Sequence, residues 1–88
     1  MSVYVDYALN AYGRMIMCHM VADSTEELLA MADTIGVSRR WIQDEDQPNG
    51  EHFDISLGKR TLAVRAGATE ITQGELAMML WGRAHAIP

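Results

Sequence analysis

The stretch Met15–Ala22 (MIMCHMVA) limits what this chain can fold into more than any other segment. Every position except His19 is apolar. A strand with one wet face alternates apolar and polar residues, so a near-continuous apolar run reads as a strand covered on both faces, as interior strands of α/β sheets are. The run is far too short to cross a bilayer as a helix, which takes about 20 residues. Asp23 and Ser24 end it, and Ser24 with Glu27 forms a capping box that opens a helix. Leu28, Met31, Ala32 and Ile35 then recur at helical spacing, and Gly36 supplies the stop.

The remaining segments follow the same signals. Val3–Val5 reads as a short strand, Tyr7–Gly13 as a connection, Val37–Gln43 as a strand and Glu51–Ile55 as a short strand or extended segment. The polar stretch Asp44–Glu51, with Pro48, Asn49 and Gly50, reads as a loop. Ser56 caps a second helix running to about Ala66, with Leu57, Leu62, Ala63 and Ala66 as its expected buried stripe and Gly67 as its stop. Thr69–Ile71 is a short strand, and Thr72 with Glu75 makes a second capping box for a third helix to about Arg83. The expected order is β-β-α-β-β-α-β-α. The fold class is therefore α/β, a small mixed, partly parallel sheet of four to five short strands with three helices. With no repeat and no internal linker, residues 1–88 read as a single α/β domain.

Charge and cysteine content remove several function classes. Seven Lys plus Arg stand against twelve Asp plus Glu, a net charge of −5. Such a chain has no general field for phosphate backbones, so non-specific nucleic-acid binding is not expected, although a local basic cluster could hold one small anion. The lone Cys18 excludes an intrachain disulfide and a thiolate zinc site, and it fits a reducing compartment. Met1–Tyr7 shows no basic segment leading into a long apolar run. A cytoplasmic protein with no membrane partner is expected.

Five features could carry chemistry. In His52–Phe53–Asp54, an extended backbone points His52 and Asp54 to one side and Phe53 to the core. An imidazole beside a carboxylate is either half of a metal site, an oriented acid/base pair, or a surface His next to a turn-capping Asp. His19 interrupts an apolar strand near its expected carboxyl end, where ligands collect in open α/β sheets; Asp6 could lie nearby if the first two strands are parallel. The alternative is a core histidine bonded to backbone. Lys59 and Arg60 put two cations in a first helical turn, against the macrodipole, and so either bind an anion there or pair with Asp54 or the acidic loop. Arg39, Arg40 and Trp41 could recognise a planar or phosphorylated ligand, or form a core Trp with solvated arginines. Leu76–Trp81 is apolar nearly all round, which in a chain this small points to a partner surface at Met78, Met79 and Trp81, including a second copy of the chain. No Gly-rich nucleotide motif, serine triad signature or zinc helix is present.

Taken together, His19-Met20, Ala22-Asp23, Glu27-Leu28, Arg40-Trp41, His52-Phe53-Asp54, Arg60 and Gly67-Ala68 resemble the bacterial and phage domain-of-unknown-function family 4031. The resemblance spans most of the chain. It departs at Phe53, where tyrosine is usual, and at Leu29, where cellular relatives often carry histidine. It implies a shared fold and groups His19, Arg40, His52, Asp54 and Arg60 as one constellation. It implies no activity, and a phage accessory role only by analogy.

The leading functional expectation is a non-enzymatic module for a small anionic, phosphate- or nucleotide-like ligand or a protein partner. His19, Arg40, His52, Asp54, Lys59 and Arg60 would form its site, with no cofactor. One rival is a small metal-dependent phosphoester hydrolase with a divalent ion on Asp6, His19, His52 and Asp54. The other is a phage protein that blocks a host factor through the last helix.

Overall fold

The computed structural model describes residues 2–7, 10–12, 15–43 and 50–84. Strands β1 (Val3–Val5), β2 (Asn10–Tyr12) and β3 (Met15–Ala22) precede helix α1 (Thr25–Ile35) and a 3-10 turn (Arg39–Trp41). Strand β4 (Phe53–Ser56), helix α2 (Leu57–Arg65), strand β5 (Thr69–Glu70) and helix α3 (Gln73–Ala84) follow. The five strands make one mixed sheet around β3. Met17 pairs with both Asn10 and Ser56, and Met20 with both Val5 and Phe53. Antiparallel β1 and β2 thus share one edge of β3, antiparallel β4 takes the other, and β5 adds to β1 in parallel. The α/β class with a mixed, partly parallel sheet and three helices is as the sequence predicts.

Strand alternation sorts the sheet into two faces. Cys18, Met20 and Ala22 of β3, Val3 and Val5 of β1, and Phe53 and Ile55 of β4 are buried against Leu28, Ala32 and Ile35 of α1 and Ala63 of α2. Val21 points the other way, into a smaller cluster with Ile71 and Leu76 that Tyr4, Met79 and Leu80 flank. The apolar run of β3 is thus covered on both faces towards its carboxyl end, whereas Ile16 near its start is exposed.

The expected caps form. Ser24 Oγ accepts from the Glu27 N–H at 3.2 Å, and its hydroxyl donates to Glu27 Oε1 at 3.0 Å. Thr72 and Glu75 exchange backbone-to-side-chain bonds of 3.0 Å each. Ser56 Oγ accepts from the Lys59 N–H at 3.2 Å. Gly36 closes α1 at φ 79°, a left-handed conformation that favours glycine.

Three local expectations are corrected. Val37–Gln43 is not a strand. Its centre is the 3-10 turn, which follows α1 closely because Arg39 forks onto Asp33 with bonds of 3.0 and 2.6 Å. That hydrogen bond is the main cause of a lowered Asp33 pKa. Only Gln43 keeps extended pairing, as a single antiparallel bridge to His52. Asn10–Tyr12, read as connection, is a strand. Helix α2 buries Ala63 and half-buries Arg60 and Val64, while Leu57, Leu62 and Ala66 are exposed. The Ser56 cap ties α2 directly to the end of β4, so the strand sets which side of the helix faces inward. The expected loop between residues 44 and 49 lies outside the described residues. No helix among the described residues is long and apolar enough to cross a membrane.

Candidate functional site

The antiparallel register of β3 and β4 sets His19 opposite Asp54. Because Phe53 is buried in the main core, its neighbours His52 and Asp54 face the α3 side, as His19 does. The bridge between Gln43 and His52 brings Gln43 alongside. Helix α3 covers this face at Tyr4 and Val21 but stands off the polar part, leaving a cavity of about 360 Å³. Its lining includes His19, Gln43, His52 and Asp54 from the sheet side and Gln73, Leu76 and Leu80 from α3.

Within it, His19 Nε2 and His52 Nε2 each lie 3.8 Å from Asp54 Oδ1. The two rings meet edge to face, 5.7 Å between centroids. Gln43 Nε2 donates to the other Asp54 oxygen, Oδ2, at 2.8 Å. Each imidazole is held from behind through its Nδ1: His19 by Asp6 Oδ2 at 2.8 Å, His52 by the Gly50 carbonyl at 3.1 Å. These partners accept, so Nδ1 is the donor in each ring and a neutral ring presents the Nε2 lone pair to the cavity. Among the described residues, no three His, Cys, Asp or Glu side chains already stand close enough to hold an ion between them.

Asp6 is fully buried and explains how His19 is positioned. Its N–H donates to the His19 carbonyl at 3.2 Å, continuing the pairing of β1. The return bond goes to the side chain, with the His19 N–H donating to Asp6 Oδ1 at 2.8 Å. The carboxylate thus replaces a ladder carbonyl and orients the ring with its second oxygen. The Asp6 carbonyl is released to accept from Arg60 Nε at 2.9 Å. Here the register slips by two residues, with Val5 facing Met20 and Asn10 facing Met17, the kind of interruption that re-aims a side chain in a sheet. Asp6 lies near His19, as the sequence suggested, but through antiparallel rather than parallel pairing.

The three expected cations stand apart from this cavity. Arg60 pairs with Glu70 at 3.0 Å and stacks over the Tyr7 ring at 4.1 Å. Burial opposes its charge, but Tyr7 and Glu70 outweigh burial and raise its pKa. The Lys59 ammonium sits at the end of α1, where a Cβ on Gly36 would lie 3.2 Å from Nζ. There it faces the negative pole of the helix. Arg40 stacks on exposed Trp41 at 4.7 Å. Of the expected α3 contact residues, Met78 (69% exposed) and Trp81 (59%) point outward, whereas Met79 packs partly against Val21, Ile71 and Leu76. Gln43 and Gln73 were not singled out in the sequence. Only the alternation of a bridge residue could have indicated Gln43.

A family model described as "Protein of unknown function (DUF4031)" matches residues 3–83. The chain belongs to this family. No curated protein and no solved structure matches it. In this DUF4031 chain the two departures from the family pattern fall away from the cavity. Phe53 is fully buried in the main core, and Leu29 packs against that same core, across the sheet from His19. The DUF4031 motif residues His19, His52 and Asp54 meet at one site; Arg40 and Arg60 do not line it.

Proposed function

We propose that the chain is a non-enzymatic binding module whose ligand site is the cavity between the β3–β4 face and α3. One observation carries this reading: His19, His52 and Asp54 converge on the cavity while hydrogen bonds to Asp6, Gly50 and Gln43 fix them in place. Such preorganisation lowers the ordering cost of binding. The lining offers imidazoles, amides and one carboxylate, most of them from the sheet side, facing an apolar wall from α3. Among its described lining residues there is no lysine, arginine, hydroxyl or thiol. A carboxylate without a neighbouring cation selects against phosphate, so the ligand class moves from anionic towards cations and hydrogen-bond donors.

A protein-detected NMR screen with small polar fragments tests the site. Shifts should cluster on His19, Val21, Gln43, His52, Asp54 and Leu76, and disappear in His52→Ala. Absence of hits, or hits gathered elsewhere, would overturn the reading. A second reading rests on the outward Met78 and Trp81 of α3, which suit a protein contact. Hits clustered on those two residues would favour it.

A further inference from the structure

We infer that the cavity takes a small primary alkylammonium ligand, whose N–H groups donate to Asp54 Oδ1 and to the Nε2 atoms of His19 and His52 while its chain lies along α3. The inference rests on the cavity being the ligand site and names what enters it.

The acceptors are the first reason. The Nδ1 atoms are spent on Asp6 and on the Gly50 carbonyl, so each neutral ring turns its Nε2 lone pair to the cavity. Asp54 Oδ1 is a third acceptor, because Gln43 donates to the carboxylate's other oxygen. At 3.8 Å neither nitrogen is hydrogen-bonded to Oδ1, so these groups do not satisfy one another. A corner built of acceptors is complementary to a ligand rich in donors. Charge is the second reason. Among the described lining residues Asp54 supplies the one carboxylate, and no lysine or arginine stands beside it. A second carboxylate, Asp6, lies behind His19. A cationic donor bonds a carboxylate about twice as strongly as a neutral one.

Shape is the third reason. An imidazole lone pair lies in its ring plane, and the two ring planes cross at 73°. A tetrahedral ammonium directs its N–H groups out of any single plane, whereas a guanidinium keeps them all in one. An ammonium nitrogen about 2.8 Å from Oδ1 and from either Nε2 sees that pair about 85° apart, which bends each hydrogen bond by less than about 20° from linear. The roof accounts for the rest of the ligand. Gln73, Leu76, Ala77 and Leu80 recur at helical spacing, so one stripe of α3 faces the cavity, apolar at all but its first residue. A hydrocarbon chain on the ammonium would be covered by that stripe. A volume of about 360 Å³ is that of a small-molecule pocket.

The test titrates the full chain with n-pentylammonium chloride at fixed pH and ionic strength and follows amide and imidazole NMR shifts. Saturable shifts are expected on His19, His52, Asp54, Leu76 and Leu80. Pentanoate should produce none, and n-pentylguanidinium should bind at least about fivefold more weakly. Shortening the chain to ethylammonium should weaken binding by up to about fourfold per methylene removed, and Leu80→Ala should flatten that dependence. Asp54→Asn should weaken pentylammonium binding about tenfold or more, and His19→Ala and His52→Ala about two- to tenfold each. Far-UV circular dichroism confirms that each variant is folded; if His19→Ala is not, His52→Ala and Asp54→Asn decide. Binding undiminished in both of those variants overturns the inference, as does pentanoate or pentylguanidinium binding as tightly as pentylammonium. Absence of saturable pentylammonium binding by about 10 mM overturns it too. If pentylammonium fails while other fragments still map to the cavity, only the ammonium assignment falls. If both fail, the binding site itself falls with it.

Discussion

Asp6 is the residue on which the site's geometry turns. One buried carboxylate completes the pairing of His19, orients its ring and frees a backbone carbonyl for Arg60. Removing it strands the His19 N–H in a part-buried position, and an unsatisfied buried donor costs about 1–3 kcal/mol. Asp6→Ala should therefore lose about that much stability in urea denaturation, while Asp6→Asn, which keeps an acceptor, should lose less. Equal losses would show that the carboxylate's acceptor role is not what holds His19. The placement of His52 and Asp54 on one side was legible, because it follows from alternation about Phe53. The Asp6 contact was not, because it depends on a side chain entering a backbone ladder.

At the scale of elements, the helix starts were the most readable features. Ser24–Glu27, Ser56–Lys59 and Thr72–Glu75 all cap as their spacing predicts, since an N-cap depends on residues within one turn of each other. Thr72–Glu75 closes with two reciprocal bonds at the start of α3, the helix that roofs the cavity. Thr72→Ala should cost about 1 kcal/mol and raise amide hydrogen exchange over the first turn of α3, leaving α1 protected. Uniform exchange across both helices would mean that α3 does not open on its own. The 3-10 turn was misread as a strand because Val37, Trp41 and Ile42 have strand-like character. Arg39 instead pairs back to Asp33 on α1, a contact that local propensity does not register.

For the molecule as a whole, the layers are unequal. Two helices cover most of one face of the sheet, leaving Ile16 exposed near the start of β3, while α3 covers the other only in part and leaves room over the polar corner of β3 and β4. Stability therefore resides mainly in the larger cluster, where Phe53 and Met20 are among the largest fully buried side chains. Phe53→Ala should remove about 3–5 kcal/mol, much of the 5–15 kcal/mol typical of a domain, with a lower urea midpoint as the readout. Retention of the wild-type midpoint would show that the main core tolerates that cavity. The outward Met78 and Trp81 belong to the thinner layer.

The sequence by itself determined the elements with local causes. These were the caps, the alternation of β3 and β4, the both-faces-buried strand and so the α/β class. Each follows from residues within a few positions of one another. Tertiary structure alone decided that His19, His52, Asp54, Asp6 and Gln43 meet, that Lys59 and Arg40 do not join them, and that Arg60 reaches only the Asp6 carbonyl and does not line the cavity. Those outcomes depend on strand order, on a register slip and on where α3 stops covering the sheet. Pairings between distant segments depend on how the sheet is assembled, and local pattern does not specify that assembly.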